Sequence, residues 1–103
     1  MDKWLTLGKA SEISIGQSKL FEIEGRIVSV FHLKEGWFAL DDRCPHRGGP
    51  LGEGRIQDGC VICPWHHAQF EIASGHCLQP RTLSSVKSYP VRVSQENIEV
   101  ELP

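Results

Sequence analysis

The feature that most constrains the fold is a series of short apolar runs separated by turn residues. The chain reads LFEI at residues 20–23, RIVSVFHL at 26–33 and WFAL at 37–40, with Glu24-Gly25 between the first two. Runs of this length that alternate or are rich in β-branched residues favour strands, whereas helical periodicity is nearly absent from the chain. Only GKASEI, near the N-terminus, hints at a helical turn.

The same pattern continues to the C-terminus. QDGCVIC predicts a turn followed by a strand, AQFEI and ASGHCL predict two strands joined at Ser74-Gly75, and VKSYPVRVSQENIEVEL predicts two strands joined at Gln95–Asn97. About eight or nine short strands with frequent turns indicate an all-β fold, an antiparallel sandwich or small barrel. The length of 103 residues suits a single domain spanning residues 1–103.

Composition excludes several classes of function. The formal net charge is −2 and there is no basic run, so a nucleic-acid partner is not expected. The sequence shows neither a signal-peptide core nor the roughly 20 apolar residues that span a membrane, so we expect a soluble cytoplasmic protein with no membrane partner. Four cysteines interleaved with histidines then indicate metal binding rather than disulfides.

Two Cys–His pairs are the candidate metal ligands. Residues 43–57, RCPHRGGPLGEGRIQ, contain four glycines and two prolines and lack a strand pattern, which predicts a long loop. The loop carries Cys44-x-His46, and after sixteen further residues comes Cys63-x-x-His66. A proline follows each of these cysteines and restricts the backbone of the cysteine before it.

Two chemistries fit two thiolates and two imidazoles. A zinc ion would take all four ligands tetrahedrally, whereas a [2Fe–2S] cluster would take two cysteines on one iron and two histidines on the other. Zinc fingers usually pair like ligands, but here each loop supplies one of each kind. The residues alone leave both chemistries open.

The wider sequence around the pairs resembles the Rieske [2Fe–2S] family. CPHRGGPL at 44–51 and CPWHHAQFEIASGHCLQP at 63–80 are similar to the two cluster loops of soluble Rieske-type ferredoxins, and the likeness covers most of residues 20–102. It implies an antiparallel β-sandwich in which a small cluster-binding subdomain, about residues 43–76, is inserted in a larger base. It also implies one [2Fe–2S] cluster per chain, held by four ligands: Cys44, His46, Cys63 and His66.

The resemblance implies an electron carrier rather than an enzyme. The function expected is one-electron transfer from a flavin-dependent reductase to a terminal oxygenase, as in ferredoxin components of ring-hydroxylating dioxygenases. The alternative is a Rieske-type small subunit of an NAD(P)H-dependent nitrite reductase, and a zinc-binding interaction module is the alternative from another class. The expected contact surface is the histidine tip, with an apolar rim drawn from Pro50, Leu51, Pro64 and Trp65.

The same likeness places the reduction potential at the low end of the Rieske range, about −150 mV. High-potential Rieske proteins carry an extra cysteine in each loop, where this chain has Gly49 and Trp65, and two hydroxyl side chains where it has Ala68 and Phe70. Fewer hydrogen bonds to sulfur stabilise the reduced cluster less. Restoring the two hydroxyls should raise the potential.

Several residues in or near the motifs are expected to be structural. Cys60 and Cys77 are predicted to be small buried core residues, with a disulfide between them disfavoured in the cytoplasm. His67, where the family commonly has glycine, is predicted to be an exposed loop histidine. Trp65 is expected either to pack under the cluster, which is the favoured alternative, or to form part of the apolar rim. Arg47 is either a solvated charge or a docking contact.

Overall fold

A computed structural model of the protein describes residues 3–42, 51–64, 67–79 and 85–102. These ranges contain eleven strands, all antiparallel to their neighbours, and two single 3₁₀ turns at Ala10–Glu12 and Leu51–Glu53. The strands are β1 (Lys3–Lys9), β2 (Gln17–Ile23), β3 (Arg26–Leu33), β4 (Gly36–Asp41), β5 (Arg55–Gln57), β6 (Cys60–Ile62), β7 (Gln69–Glu71), β8 (Cys77–Gln79), β9 (Ser88–Tyr89), β10 (Val91–Ser94) and β11 (Asn97–Leu102). The predicted all-β antiparallel fold is confirmed.

The strands form three sheets. A central sheet has the order β2-β3-β4-β9, a second sheet the order β1-β11-β10, and a third the order β5-β6-β7-β8. The third sheet lies in the sequence between β4 and β9, which pair with each other through Leu40 and Ser88. The chain therefore leaves the central sheet after β4, builds a separate sheet, and returns beside the point at which it left.

Strand β3 belongs to two hydrophobic cores at once. Val28 and Val30 pack in the core that the central sheet shares with β11, whereas Phe31 and Leu33 pack in the core under the third sheet. Successive side chains of a strand point to opposite faces, so one strand can serve both cores. This explains why RIVSVFHL has apolar residues at both odd and even positions, five of its eight residues in all.

Two tight turns fall where the sequence predicted them. Glu24 and Gly25 join β2 to β3 with φ of 49° and 78°, and Gln95 and Glu96 join β10 to β11 with φ of 51° and 70°. Two consecutive residues with positive φ make a turn whose twist matches that of a hairpin.

The structure differs from the predicted elements in three places. Strand β1 was not predicted, because a bulge between Thr6 and Gly8 breaks its alternation. The predicted loop 43–57 is too long, since Arg55–Gln57 pairs with β6 as strand β5, with Ile56 as its one apolar residue. The segment ahead of β10 contributes a further strand, β9, to the central sheet.

No helix in the parts of the chain that the structure describes is long and apolar enough to cross a bilayer.

Candidate metal centre

The loop predicted to carry Cys44 and His46 is closed at its base by Asp42. The backbone carbonyl of Asp42 accepts a hydrogen bond from the N–H of Leu51 at 2.8 Å, and its carboxylate Oδ1 accepts one from the N–H of Gly52 at 2.6 Å. The N–H of Asp42 itself bonds the carbonyl of Ile27 on β3 at 3.0 Å. The chain on either side of residues 43–50 is therefore held together at one point, formed by Asp42, Leu51 and Gly52, which we call the first neck.

Gly52 occupies a socket on the central sheet. Its carbonyl accepts a hydrogen bond from the hydroxyl of Ser18 at 2.7 Å. A Cβ at this position would overlap the side chain of Leu20 and crowd Ser29 and Asp42, so only glycine brings the backbone this close. The return of the loop is thus fixed by side chains from β2 and β3.

The loop predicted to carry Cys63 and His66 has a neck of its own. The N–H of Cys63 donates to the carbonyl of Ala68 at 2.8 Å, and the N–H of His67 donates to the carbonyl of Cys63 at 2.9 Å. Cys63 is fully buried, whereas Pro64 and His67 are exposed. The thiol of Cys63 thus lies at the inner edge of a loop whose tip reaches solvent.

The two necks lie side by side. The backbone of Gly54 approaches Ile62 so closely that a Cβ on Gly54 would overlap the Ile62 carbonyl. Leu51 and Cys63 also belong to one buried core, together with Ala68 and Phe70. The fold therefore brings the bases of both predicted ligand loops together, as a shared metal centre requires.

The chemistry around Cys63 fits a metal ligand. Its neighbours in the core are apolar, and a bare thiolate among them would be a buried, unpaired charge. Coordination to a metal ion removes that penalty, because the metal charge compensates the thiolate. The buried thiol, close to a loop tip exposed to solvent, is thus compatible with an iron–sulfur cluster.

The other three predicted ligands fall outside the residues that the structure describes. These are Cys44, His46 and His66, and the predicted roles of Arg47, Pro50 and Trp65 fall outside them too. Within residues 3–42, 51–64, 67–79 and 85–102, no group of three or more His, Cys, Asp and Glu side chains could hold a metal ion. The four-ligand set therefore stays a prediction.

The prediction that Leu51 forms part of the apolar rim of the contact surface is wrong. Leu51 is completely buried, because the 3₁₀ turn that it begins packs its side chain into the core under the third sheet. Leu20 is 37% exposed and borders the socket of Gly52, so it supplies an apolar surface beside the first neck that the sequence did not single out. Its position in a strand gave no signal of this exposure.

The remaining cysteines are core residues, as predicted. Cys60 and Cys77 are buried, and burial raises the pKa of the Cys77 thiol. Strand β7 separates the strands that carry them. Two strand spacings amount to about 9.6 Å, beyond the roughly 7 Å that a disulfide spans between Cα atoms.

His67 is exposed, as predicted, and its backbone explains why glycine is common at this position in the family. Its φ is +59°, in the left-handed region that glycine adopts most easily. The turn between Cys63 and Ala68 requires this conformation to return the chain to the third sheet.

Comparison with known proteins agrees with this architecture. The family model of the Rieske [2Fe-2S] domain matches residues 3–90. The anthranilate 1,2-dioxygenase ferredoxin subunit of Burkholderia cepacia is 29% identical over 100 residues, which cover 97% of this chain and 93% of that protein.

Two solved structures show the same fold. The structure of a complex of reduced oxygenase and oxidized ferredoxin in carbazole 1,9a-dioxygenase contains a chain that aligns with a TM-score of 0.86 and 22% identity, over 94% of this chain and 91% of that one. A Mycobacterium tuberculosis protein described as an NADH-dependent nitrite reductase small subunit aligns with a TM-score of 0.90 and 24% identity, over 100% of this chain and 97% of that one.

Three observations support the same assignment. The family model matches most of the chain, the fold is antiparallel β, and the two adjacent loop necks include a buried thiol. The chain therefore belongs to the Rieske [2Fe–2S] domain family, as an electron carrier of the ferredoxin type.

Proposed function

We propose that Cys44 and Cys63 as thiolates, and His46 and His66 as imidazoles, hold one [2Fe–2S] cluster per chain. The observation that carries the proposal is the contact between the two loop necks, with the Cys63 thiol buried beside it. When bound, such a cluster accepts and donates one electron at a time. Pro64 and His67 are exposed, so a partner can approach this end of the second loop.

The proposed role is electron transfer from a flavin-dependent reductase to a terminal oxygenase. Support comes from the Burkholderia relative, which is a ferredoxin subunit of similar length. The contact surface would include the exposed residues Pro64 and His67, in a small interface of the kind that transient redox encounters use. A nitrite reductase small subunit is the second candidate, because that fold aligns with the whole of this chain.

We further propose that residues 1–103 form one Rieske domain in which residues 43–76 are the cluster-binding subdomain. The separate third sheet supports this division, and its hydrophobic core is completed by Phe31, Leu33 and Leu40 of the base.

The first test is the content of iron, zinc and acid-labile sulfide in freshly purified protein. We expect two irons and two sulfides per chain, with visible colour that bleaches on reduction. One zinc without sulfide or colour would contradict electron transfer and would support the zinc-binding interaction module instead.

The chain offers matched controls for the ligand assignment. His66→Ala should abolish cluster binding, whereas His67→Ala at the next residue should retain the spectrum. In the same way Cys63→Ala should lose the cluster and Cys60→Ala, three residues earlier on a buried strand, should keep it. Loss of the cluster in both members of a pair would show a fold defect rather than a missing ligand.

Partner choice is tested by stopped-flow reduction and reoxidation. The reductase and oxygenase of a ring-hydroxylating dioxygenase system should reduce and then reoxidise the protein. Electron exchange with a nitrite reductase flavoprotein alone would favour the second candidate.

A further inference from the structure

We propose that Asp42 is a positioning residue, which holds shut the neck of the loop that carries Cys44 and His46 and so keeps the cluster in place. The inference rests on the proposed function, because it assumes that this loop supplies two of the ligands. Asp42 itself is not proposed to touch the cluster. It acts through the backbone of Leu51 and Gly52.

The evidence is a set of three hydrogen bonds that converge on one residue. The N–H of Asp42 is anchored on Ile27 of the central sheet, its carbonyl accepts from Leu51 and its carboxylate accepts from Gly52. Asp42, just before the loop, thus accepts hydrogen bonds from Leu51 and Gly52, the first two residues after the loop. The side chain and backbone of Asp42 therefore join the chain on the two sides of residues 43–50.

Burial makes the carboxylate bond effective. Asp42 is 4% exposed, so water does not compete freely for Oδ1. The N–H of Gly52 reaches this oxygen at 2.6 Å, which is short for an N–H···O hydrogen bond. On the far side of the same peptide group, Ser18 donates to the carbonyl of Gly52. Gly52 is therefore held from both sides and cannot shift along the sheet without breaking a partly buried hydrogen bond.

The neck limits how far the first ligand can move. Cys44 is two residues from Asp42, so the two Cα atoms are at most about 7 Å apart. The predicted ligand loop therefore begins and ends at one fixed point, and Gly54 packs against the second neck just beyond it. Loss of that fixed point removes the restraint on both ends of the loop, so we expect faster release of the cluster.

Three variants of the holoprotein test this role. Asp42→Ala removes the side-chain acceptor, Asp42→Asn keeps an oxygen that can accept from Gly52, and Val100→Ala opens a cavity in the other core, away from both necks. We would measure the loss of visible absorbance in excess iron chelator, well below the unfolding temperature. Hydrogen exchange at the Gly52 amide in cluster-free protein gives a readout that is independent of the cluster.

We expect Asp42→Ala to release its cluster about tenfold faster than the wild type, because a buried N–H loses its acceptor. Exchange at Gly52 should accelerate to a similar degree, whereas Asp42→Asn should stay within about threefold of the wild type on both measures.

Three results would overturn the inference. They are wild-type release and exchange rates in Asp42→Ala, an Asp42→Asn variant as fast as Asp42→Ala, and equal release from Val100→Ala. If wild-type protein binds no cluster at all, the proposed function fails and the inference fails with it. If the wild type binds its cluster and Asp42→Ala keeps it equally well, only the inference fails.

Discussion

His67 holds its backbone at φ = +59° next to a predicted ligand, and it carries a Cβ in a region that disfavours one. The hydrogen bond from its N–H to the carbonyl of Cys63 keeps it there. The sequence predicted the exposed side chain, but it could not predict the backbone angle, because histidine does not signal a left-handed turn as glycine does. Only the folded structure shows that the backbone of His67 is strained.

We expect His67→Gly to stabilise the protein by about 1 kcal/mol, since glycine adopts this angle without steric cost. For a domain of this size that corresponds to a rise in Tm of about 4–8 °C, measured by thermal unfolding. His67→Ala is the control, because it removes the imidazole and keeps the strain. An equal rise in His67→Ala would show that the side chain, not the backbone, is responsible.

At the scale of elements, the contact between the two necks depends on Gly54. The 3₁₀ turn Leu51–Glu53 directs the chain into β5, and the N–H of Gly54 closes the turn on the carbonyl of Leu51 at 2.9 Å. Gly54 then lies against the backbone of Ile62, which leads into Cys63. The Gly-rich composition of this segment predicted a loop, but not which glycine is required for a close approach between strands.

Gly54→Ala should cost about 1–3 kcal/mol of folding stability, because the new methyl group meets a backbone carbonyl that cannot rotate away. Chemical denaturation would measure the loss. Gly8→Ala is the matched control in β1, where the nearest atom belongs to the exposed, flexible side chain of Glu12 and the cost should be smaller. Equal losses in the two variants would contradict a specific role for the neck contact.

A second contact between elements links the side chain of Tyr89 in β9 to strands β4 and β3 of the same sheet. The hydroxyl of Tyr89 donates to Asp41 Oδ1 at 2.6 Å and accepts from Arg26 Nη1 at 3.0 Å. Burial raises the pKa of Tyr89, and the hydrogen bond to Asp41 raises it further, against a lowering by the bond from Arg26. The phenol therefore stays protonated in the folded state at a pH at which it ionises in the unfolded chain.

Stability should consequently be intact below pH 10 and fall as the pH rises above it, since unfolding then releases a proton. Denaturant titrations at increasing pH would show the decline, and Tyr89→Phe should lack the part due to the phenol. Tyr89 is the one tyrosine in the sequence, so its phenolate absorbance reports the ionisation directly. An unshifted titration curve in the folded protein would disprove this explanation.

For the whole molecule, local pattern predicted the strands better than their partners. Strands β2, β3, β4, β10 and β11 were predicted, because the spacing of apolar residues and the positions of turn residues both indicate strands there. Strands β5 and β9 were not predicted. They are three and two residues long, respectively, and only their pairing with the neighbouring strand identifies them as strands. Likewise Asp41 and Asp42 are adjacent in sequence, and only the fold shows that Asp41 joins strands and Asp42 closes a loop.

The entry and exit of the third sheet are joined by a hydrogen bond from the N–H of Asp41 to the carbonyl of Lys87 at 2.9 Å. The two ends of the segment that forms the third sheet therefore lie next to each other on the central sheet. We expect that this segment can be exchanged between related carriers without loss of the base fold. The condition is a matching apolar face, because Phe31, Leu33 and Leu40 of the base complete the core of the inserted part.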